Sequence, residues 1–161
     1  MLVVAARSHH ECLSRFGANT TILLPQRVPR VLNSMSDQKV TTNPYGAFLL
    51  HMQKNNQAYG WFLEDDVYYH GDLSMFLNEF RNNTADLLAF AVKEWPNFYT
   101  YRTCSLLQRS EAPCKMTFHV TRISKRFADY TIKKYKAGMR CHHEVVLPTL
   151  CRQTPWCSMQ A

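Results

Sequence analysis

The hydrophobic pattern of the chain alternates between short apolar runs and longer segments with helical spacing. The runs at residues 2–6 and 21–25 have the length and composition of buried strands. Asn43 followed by Pro44 has the form of a helix start, with an Asn cap and a Pro at the first helical position, and predicts a helix over about 44–56. The apolar positions of this helix recur at i, i+3, i+4 and i+7, at Tyr45, Phe48, Leu49 and Met52.

The same alternation continues through the middle of the chain. Trp61-Phe62-Leu63 is an apolar run that stops at three consecutive carboxylates, so it predicts a strand with an acidic end. Asp72 is placed to cap a helix, and residues 86–92 predict the next strand. The apolar stripe of the capped helix consists of Leu73, Phe76, Leu77 and Phe80.

The last third of the chain carries one more strand and one more regular helix. Residues 116–121 predict the strand, and Ser124 is expected to cap a helix that closes near Gly138. Residues 94–116, which contain two prolines and several aromatic residues, predict an irregular stretch that covers the site, and packing of those aromatics is the alternative. Because Pro148 lacks an N–H donor, residues 141–151 are expected to form only short helical turns.

This order of elements predicts the fold class. Apolar strands that alternate with helices favour an α/β fold with a mostly parallel sheet and helices on both faces. A chain of 161 residues, of which 46% are hydrophobic, can bury one core, so residues 1–161 are expected to form a single domain. Ligands of such sheets bind where the strands end at their carboxyl side.

The charge balance favours anionic partners. Lys and Arg exceed Asp and Glu by 19 − 12 = 7, which suits phosphates or acidic surfaces. The basic residues are scattered, and the densest group, Lys133-Lys134-Tyr135-Lys136, fits a solvated helix face better than a nucleic-acid stripe. A nucleic-acid partner is therefore not expected.

Cysteines and sequons favour an oxidising compartment. The chain has six Cys, an even number, without the paired Cys-x-x-Cys spacing of a zinc ribbon. Asn-x-Thr triplets start at Asn19 and Asn82. The apolar run at the N-terminus is too short for a signal peptide or membrane span, so a secretory protein would need an anchor or signal upstream of Met1. A cytoplasmic protein with reduced thiols is the alternative.

The acidic strand end predicts a metal site. In an extended chain Glu64 and Asp66 point to one face and Asp65 to the other. Two neighbouring carboxylates repel each other, and a divalent cation relieves that repulsion. Oxygen ligands suit Mn²⁺ or Mg²⁺ better than zinc. In the alternative interpretation the acids lie in a solvated turn and Glu64 pairs with an arginine.

The segment from Tyr59 to Asp72 resembles the acidic-motif strand of GT-A, nucleotide-sugar-dependent glycosyltransferases, and the likeness extends over residues 40–151. It continues through Asp86-Leu87-Leu88, Thr121-Arg122-Ile123-Ser124 and His143-Glu144. The resemblance implies a Rossmann-like GT-A fold, and an incomplete form of that fold is an alternative because complete GT-A domains are longer. It also implies a nucleotide-sugar half at about 1–92 and an acceptor-side segment at about 93–161.

The resemblance assigns roles to particular side chains. Glu64, Asp65 and Asp66 form a DxD-like motif, with Glu in the place of its first Asp, that would hold the metal and the donor diphosphate. Arg122 would contact the donor. Members without a metal neutralise the diphosphate with basic side chains, for which the candidates are Arg122, Lys125 and Arg126.

The reaction would also need a catalytic base, which a carboxylate in the last part of the sequence would supply. The resemblance places a carboxylate from a late segment opposite the donor, so Glu144 is the expected catalytic base, and His143 would assist or serve as a metal ligand beside Glu64 and Asp66. Glu144 could instead be an exposed acid in the first turn of a helix, favoured by its dipole. A structural zinc site is a further alternative, built from His142, His143, Cys141, Cys151 and Cys157.

These residues together predict a glycosyltransferase of the secretory pathway or Golgi lumen. It would move a monosaccharide from a nucleotide-sugar donor to a hydroxyl of a glycan, protein or lipid acceptor, assisted by Mn²⁺ or Mg²⁺. The alternatives from other classes are a metal-dependent phosphoesterase that activates a water, and a non-catalytic, truncated transferase domain.

Overall fold

The structure is a computed structural model that describes residues 2–5, 20–23, 44–64, 67, 70–94, 113–139 and 141–161. These residues form six strands and four helices. In chain order they are β1 (Leu2–Ala5), β2 (Thr20–Leu23), α1 (Pro44–Lys54), β3 (Tyr59–Glu64), α2 (Leu73–Glu79), β4 (Leu87–Glu94), β5 (Cys114–Ser124), α3 (Lys125–Lys136), α4 (His143–Arg152) and β6 (Met159–Gln160). The irregular stretch predicted for 94–116 lies largely outside the described residues.

The strands form one mixed sheet in the order β2-β1-β3-β5-β4-β6. β1 is parallel to β2 and β3, and β4 is parallel to β6, whereas β5 is antiparallel to both of its neighbours, β3 and β4. The expected mostly parallel, Rossmann-like GT-A sheet is therefore wrong. The reason is that continuous apolar runs, which are typical of parallel strands, arise from burial on both faces, and helices cover both faces of this mixed sheet as well.

The larger core lies between one face of the sheet and α1, α3 and α4. The predicted stripe of α1 is confirmed, since Tyr45, Phe48, Leu49 and Met52 are all buried. Phe48 meets Phe62 of β3 with ring centroids 5.4 Å apart. Each side chain of this size contributes about 1.5–3 kcal/mol by its burial, so the stripe fixes α1 on the sheet.

The opposite face of the sheet carries a smaller core under α2. Trp61, Leu63 and Leu88 are its buried residues, and the predicted stripe of α2 packs on them, with the Trp61 and Phe76 rings 5.3 Å apart. Asp72 caps the helix as predicted, because its carboxylate accepts a hydrogen bond from the Ser74 N–H at 2.8 Å. Successive residues of β3 thus point to opposite faces: Trp61 and Leu63 belong to this smaller core, and Phe62 belongs to the larger one.

The last two helices differ in how well the sequence predicts them. Ser124 caps α3 as expected and accepts from the Phe127 N–H at 3.2 Å. The prediction of short turns around Pro148 is wrong, because α4 is one continuous helix with Pro148 inside it. Pro148 removes a single backbone hydrogen bond, and the burial of the helix from Val145 to Cys151 outweighs that loss.

Candidate functional site

Glu64 is the last residue of β3, at the edge of the sheet where the parallel strands β1 and β3 both end. Its partner in the register is Ala5, the last residue of β1. The Val67 N–H donates to the Glu64 carbonyl at 3.2 Å. The Glu64 side chain is 31% exposed and open to a ligand. Asp65 and Asp66 lie outside the described residues.

His119 of β5 is the partner of Glu64. The antiparallel register sets Val120 opposite Leu63, which brings the next pair along, His119 and Glu64, together. The His119 Nδ1 and a Glu64 carboxylate oxygen are in hydrogen-bond contact, and 57% of the histidine side chain is exposed. Glu64 is thus paired, as one interpretation of the acidic end required, but with a histidine of a neighbouring strand in place of an arginine.

Glu144 lies in the first turn of α4, beyond the end of β3. Its carboxylate is 3.4 Å from the Lys115 ammonium and 3.9 Å from the His142 Nδ1, and 21% of its side chain is exposed. Lys115 lies five residues before Val120 in β5. Val120 pairs with Leu63, the residue before Glu64 in β3. The β5 partners of Glu144 and Glu64, Lys115 and His119, are therefore about 13 Å apart along the extended strand.

His143 is packed between two rings at the start of α4. Its ring centroid is 5.2 Å from that of Tyr45 and 4.1 Å from that of His142. Burial lowers the pKa of His143 well below its usual value, and repulsion from His142 lowers it further. The ring is therefore neutral at pH 7, which is the form that ligates a metal.

The described residues do not assemble the full predicted metal set of Glu64, Asp66 and His143. No group of three His, Cys, Asp or Glu side chains within the described parts of the chain is arranged to hold a metal ion. Asp66 lies outside those parts. Within the described residues, Glu64 at the end of β3 contacts His119, whereas Glu144 forms a separate group with Lys115 and His142.

Arg122, the predicted donor contact, forms its hydrogen bonds within the protein. Only 3% of the residue is exposed, and its guanidinium donates to backbone carbonyls at 2.9–3.1 Å. It also stacks 4.4 Å from the Tyr59 ring centroid. The carbonyls belong to the segment after α2, at Phe80, Asn83 and Ala85. Arg122 therefore ties this segment to the sheet and is not open to a diphosphate.

Lys125 and Arg126, the other basic candidates, lie at the opposite edge of the sheet. Ser124, just before them, is paired with Tyr59, the first residue of β3. The Lys125 ammonium donates hydrogen bonds to the carbonyls of Met52 and Gln53 at the end of α1, at 3.2 and 2.9 Å. Arg126 pairs with Asp86 at 2.5 Å. Neither side chain faces Glu64.

The cysteines do not form the alternative zinc site. Cys151 and Cys157 are joined by a disulfide, and Cys141 is disulfide-bonded as well. Disulfide sulfurs do not ligate zinc, which requires thiolates.

Asn82, in the second predicted sequon, is exposed in the turn after α2 and accessible for modification. Asn19 lies outside the described residues.

An apolar pocket opens on the α2 face of the sheet. It has a volume of about 140 Å³ and is lined mainly by Trp61, Phe80, Leu88 and Phe90. Sites for drug-sized ligands span roughly 300–1,000 Å³, so this pocket is too small for a sugar nucleotide. Neither Glu64 nor Glu144 lines it.

Sequence analysis alone missed His119 and Lys115, which hold the two acids of the site. The only signal of His119 was a polar residue inside an apolar strand. His119 can be identified as the partner of Glu64 only when β3 and β5 are known to pair antiparallel, and the expected parallel sheet excluded that pairing.

None of the helices in the described parts of the chain is long and apolar enough to cross a bilayer. The sequence matches no known protein family, and no curated protein is similar enough to count as a relative.

Proposed function

We propose that the chain is a glycosyltransferase that moves a monosaccharide from a nucleotide-sugar donor to an acceptor hydroxyl. The observation that carries the proposal is the position of Glu64, half-exposed at the carboxyl end of a buried strand that runs parallel to its neighbour β1. Strand ends of this kind are where α/β sheets bind ligands. The resemblance of the acidic run from Glu64 to Asp66 to a DxD-like motif supports a donor diphosphate as that ligand.

In this proposal the acidic run holds the leaving group through a metal. Breaking the bond between the sugar and the diphosphate leaves negative charge on the phosphate, which a bound cation stabilises. Glu64 and Asp66 would be the ligands, and Mn²⁺ or Mg²⁺ suits such carboxylates. Arg122, Lys125 and Arg126 have no part in donor binding here, because each is engaged away from this edge.

The base that accepts the proton of the acceptor hydroxyl is proposed to be Glu144. Lys115 and His142 hold its carboxylate from two sides. These two contacts orient the carboxylate, as a base within hydrogen-bond reach of its substrate requires. The exposed part of the side chain can reach a hydroxyl at the sheet edge.

A secretory or Golgi lumen is the proposed compartment. The disulfide between Cys151 and Cys157 and the disulfide-bonded Cys141 support an oxidising environment. The exposed Asn82 supports glycosylation of the chain. The acceptor would then be a glycan, protein or lipid that passes through the same lumen.

The test combines binding and turnover. The purified chain is incubated with Mn²⁺ and a panel of nucleotide sugars, and thermal stabilisation, donor hydrolysis and transfer are measured. We expect one donor to raise the melting temperature only with Mn²⁺. A donor at one hundred times its Kd stabilises by about 2.7 kcal/mol. Glu64→Gln and Asp66→Ala are expected to abolish this shift, and Glu144→Gln to abolish transfer while donor binding persists.

Asp129→Asn is the matched control, because Asp129 is a half-exposed acid of α3 whose carboxylate is 3.5 Å from the Lys125 ammonium. It removes one carboxylate, as the site variants do, but far from Glu64. If no nucleotide sugar binds, or if Asp66→Ala binds as well as the wild type, the proposal is wrong. Hydrolysis of a simple phosphodiester in place of sugar transfer would favour the phosphoesterase alternative.

A further inference from the structure

One face of α3 carries a basic and aromatic surface that the proposed reaction does not use. We call it the α3 patch, and it consists of Arg126, Tyr130, Lys133, Lys134 and Trp156. Residues 126, 130 and 134 recur at i, i+4 and i+8, and residue 133 is on the adjacent row, so they form a stripe about 12 Å long. Trp156, from the turn after α4, lies against this stripe.

Trp156 is an unusual side chain to leave in solvent. It is 41% exposed, yet three neighbours hold it in place. Its ring is 5.4 Å from Tyr130 and 6.5 Å from Phe127, both in edge-on geometry, and the Arg126 guanidinium is 5.1 Å from its centroid. The exposed part is therefore presented in a fixed orientation, without the entropic cost of ordering it on binding.

The patch also has positive charge that is not neutralised locally. Arg126 is balanced by Asp86 at 2.5 Å. No carboxylate of the described residues lies within 4.0 Å of the Lys133 or Lys134 ammonium, and the Lys134 ammonium is 5.1 Å from the Tyr130 ring. Lys133 is exposed. Two unbalanced ammonium groups thus lie beside a fixed indole and a phenol.

From this combination we propose that the α3 patch docks on a membrane surface rich in anionic lipid. Trp and Tyr are favoured at the bilayer interface because they combine an apolar body with a polar tip, and each Lys near an anionic surface contributes about 1 kcal/mol. A single-stranded nucleic acid fits less well. Base stacking needs an open ring face, whereas Arg126 lies over the Trp156 ring and Tyr130 meets its edge.

The docking proposal is independent of the proposed reaction, since Glu64 and Glu144 are not part of the patch. The test measures sedimentation of the chain with vesicles of phosphatidylcholine, with and without phosphatidylserine, at low salt. We compare Lys133→Gln/Lys134→Gln with Lys54→Gln/Lys93→Gln. The second pair removes the same net charge from two exposed positions outside the patch.

We expect the chain to bind only the vesicles that contain phosphatidylserine. The patch variant should lower the partition coefficient by tenfold or more, given about 1 kcal/mol for each lysine, and the control variant by clearly less. Trp156→Ala should also weaken binding, and the blue shift of tryptophan fluorescence on vesicle addition should be smaller in Trp156→Phe. Circular dichroism of each variant checks that it is folded.

Three results would overturn the proposal. The first is no binding to phosphatidylserine vesicles. The second is an equal loss in the patch and control variants, which would mean that binding depends on net charge alone. The third is binding of a single-stranded oligonucleotide through Lys133 and Lys134 without vesicle binding, which would assign the patch to nucleic acid.

Discussion

Asp86 is a buried carboxylate at the start of β4 that joins three parts of the molecule. It is 1% exposed and accepts hydrogen bonds from the Ser124 hydroxyl at 2.6 Å, from two Arg126 nitrogens at 2.5 Å and from the Ser158 N–H at 3.1 Å. Burial alone raises the pKa of this carboxyl, but these hydrogen bonds outweigh it and lower the pKa below the usual value. The end of β5, the start of α3 and the approach to β6 therefore meet at one ionised group.

Asp86→Asn should destabilise the protein by roughly 2–3 kcal/mol, because an amide cannot accept from all of these donors and hydrogen bonds to a charged group are worth about 1.5–3 kcal/mol. Urea denaturation measures the loss. The folded pKa of Asp86 is below the unfolded value of about 3.9, so its contribution is full above that pH and is lost as the pH falls through the folded pKa. Asp129→Asn, at a surface ion pair, should change stability by less than about 1 kcal/mol.

His143 should make the protein acid-sensitive in a higher pH range. Its folded pKa is lowered by burial and by His142, so below about pH 6.5 the unfolded chain takes up the proton first. Stability is then lost as the pH falls, at up to 1.4 kcal/mol per pH unit. His143→Phe should keep the ring contact with Tyr45 and flatten the stability profile between pH 7.5 and 5.5, as measured by urea denaturation at each pH. An unchanged profile would contradict a partly buried His143 that is neutral in the folded protein.

At the scale of elements, the contact of α1 with β3 depends on Gly60. A Cβ at this position would collide with the Met52 sulfur and press on the Phe48 ring. We expect Gly60→Ala to cost about 1–3 kcal/mol, the usual range for overpacking. A double-mutant cycle with Met52→Ala checks the cause. Once Met52 is truncated, Gly60→Ala should add little further loss, and an equal loss in both backgrounds would point to a backbone effect instead.

The helices were predictable because their signals are local. Asp72 and Ser124 cap helices through hydrogen bonds to residues two or three positions ahead, and the α1 stripe needs only the helical period. The direction of β5 was not predictable, since it depends on pairing with β3 and β4, which lie far away in sequence. The helix across Pro148 escaped prediction for a related reason, because burial of α4 against the sheet outweighs the local cost.

In the candidate site, too, the features with local sequence signals were predictable and the contacts between distant segments were not. Glu64 was correctly placed at a strand end because the apolar run and the acids are adjacent in sequence. Arg122 was assigned to the donor through the resemblance of its segment to GT-A glycosyltransferases, but its guanidinium is held by carbonyls of the segment after α2. His119 was missed because its proximity to Glu64 arises from the register of two strands.

At the scale of the whole molecule, the Cys151–Cys157 disulfide fastens the end of α4 to the approach of β6. It closes a loop with a sequence separation of 6, for which chain entropy predicts about 2 kcal/mol of stabilisation. Cys151→Ala/Cys157→Ala should lower the free energy of unfolding by about that amount or slightly more, because Cys151 is buried. Urea denaturation under non-reducing conditions measures it, and an unchanged midpoint would exclude a stabilising role.

Because β5 lies in the middle of the sheet, the sheet cannot be completed before β5 has left the ribosome. β3 and β4 are not neighbours, since β5 separates them. Until the ribosome has released residues 114–124, the nascent chain therefore holds two unjoined parts of the sheet, each with an open strand edge. Such edges recruit other chains, so the interval between the synthesis of β4 and that of β5 is when this protein most needs a chaperone.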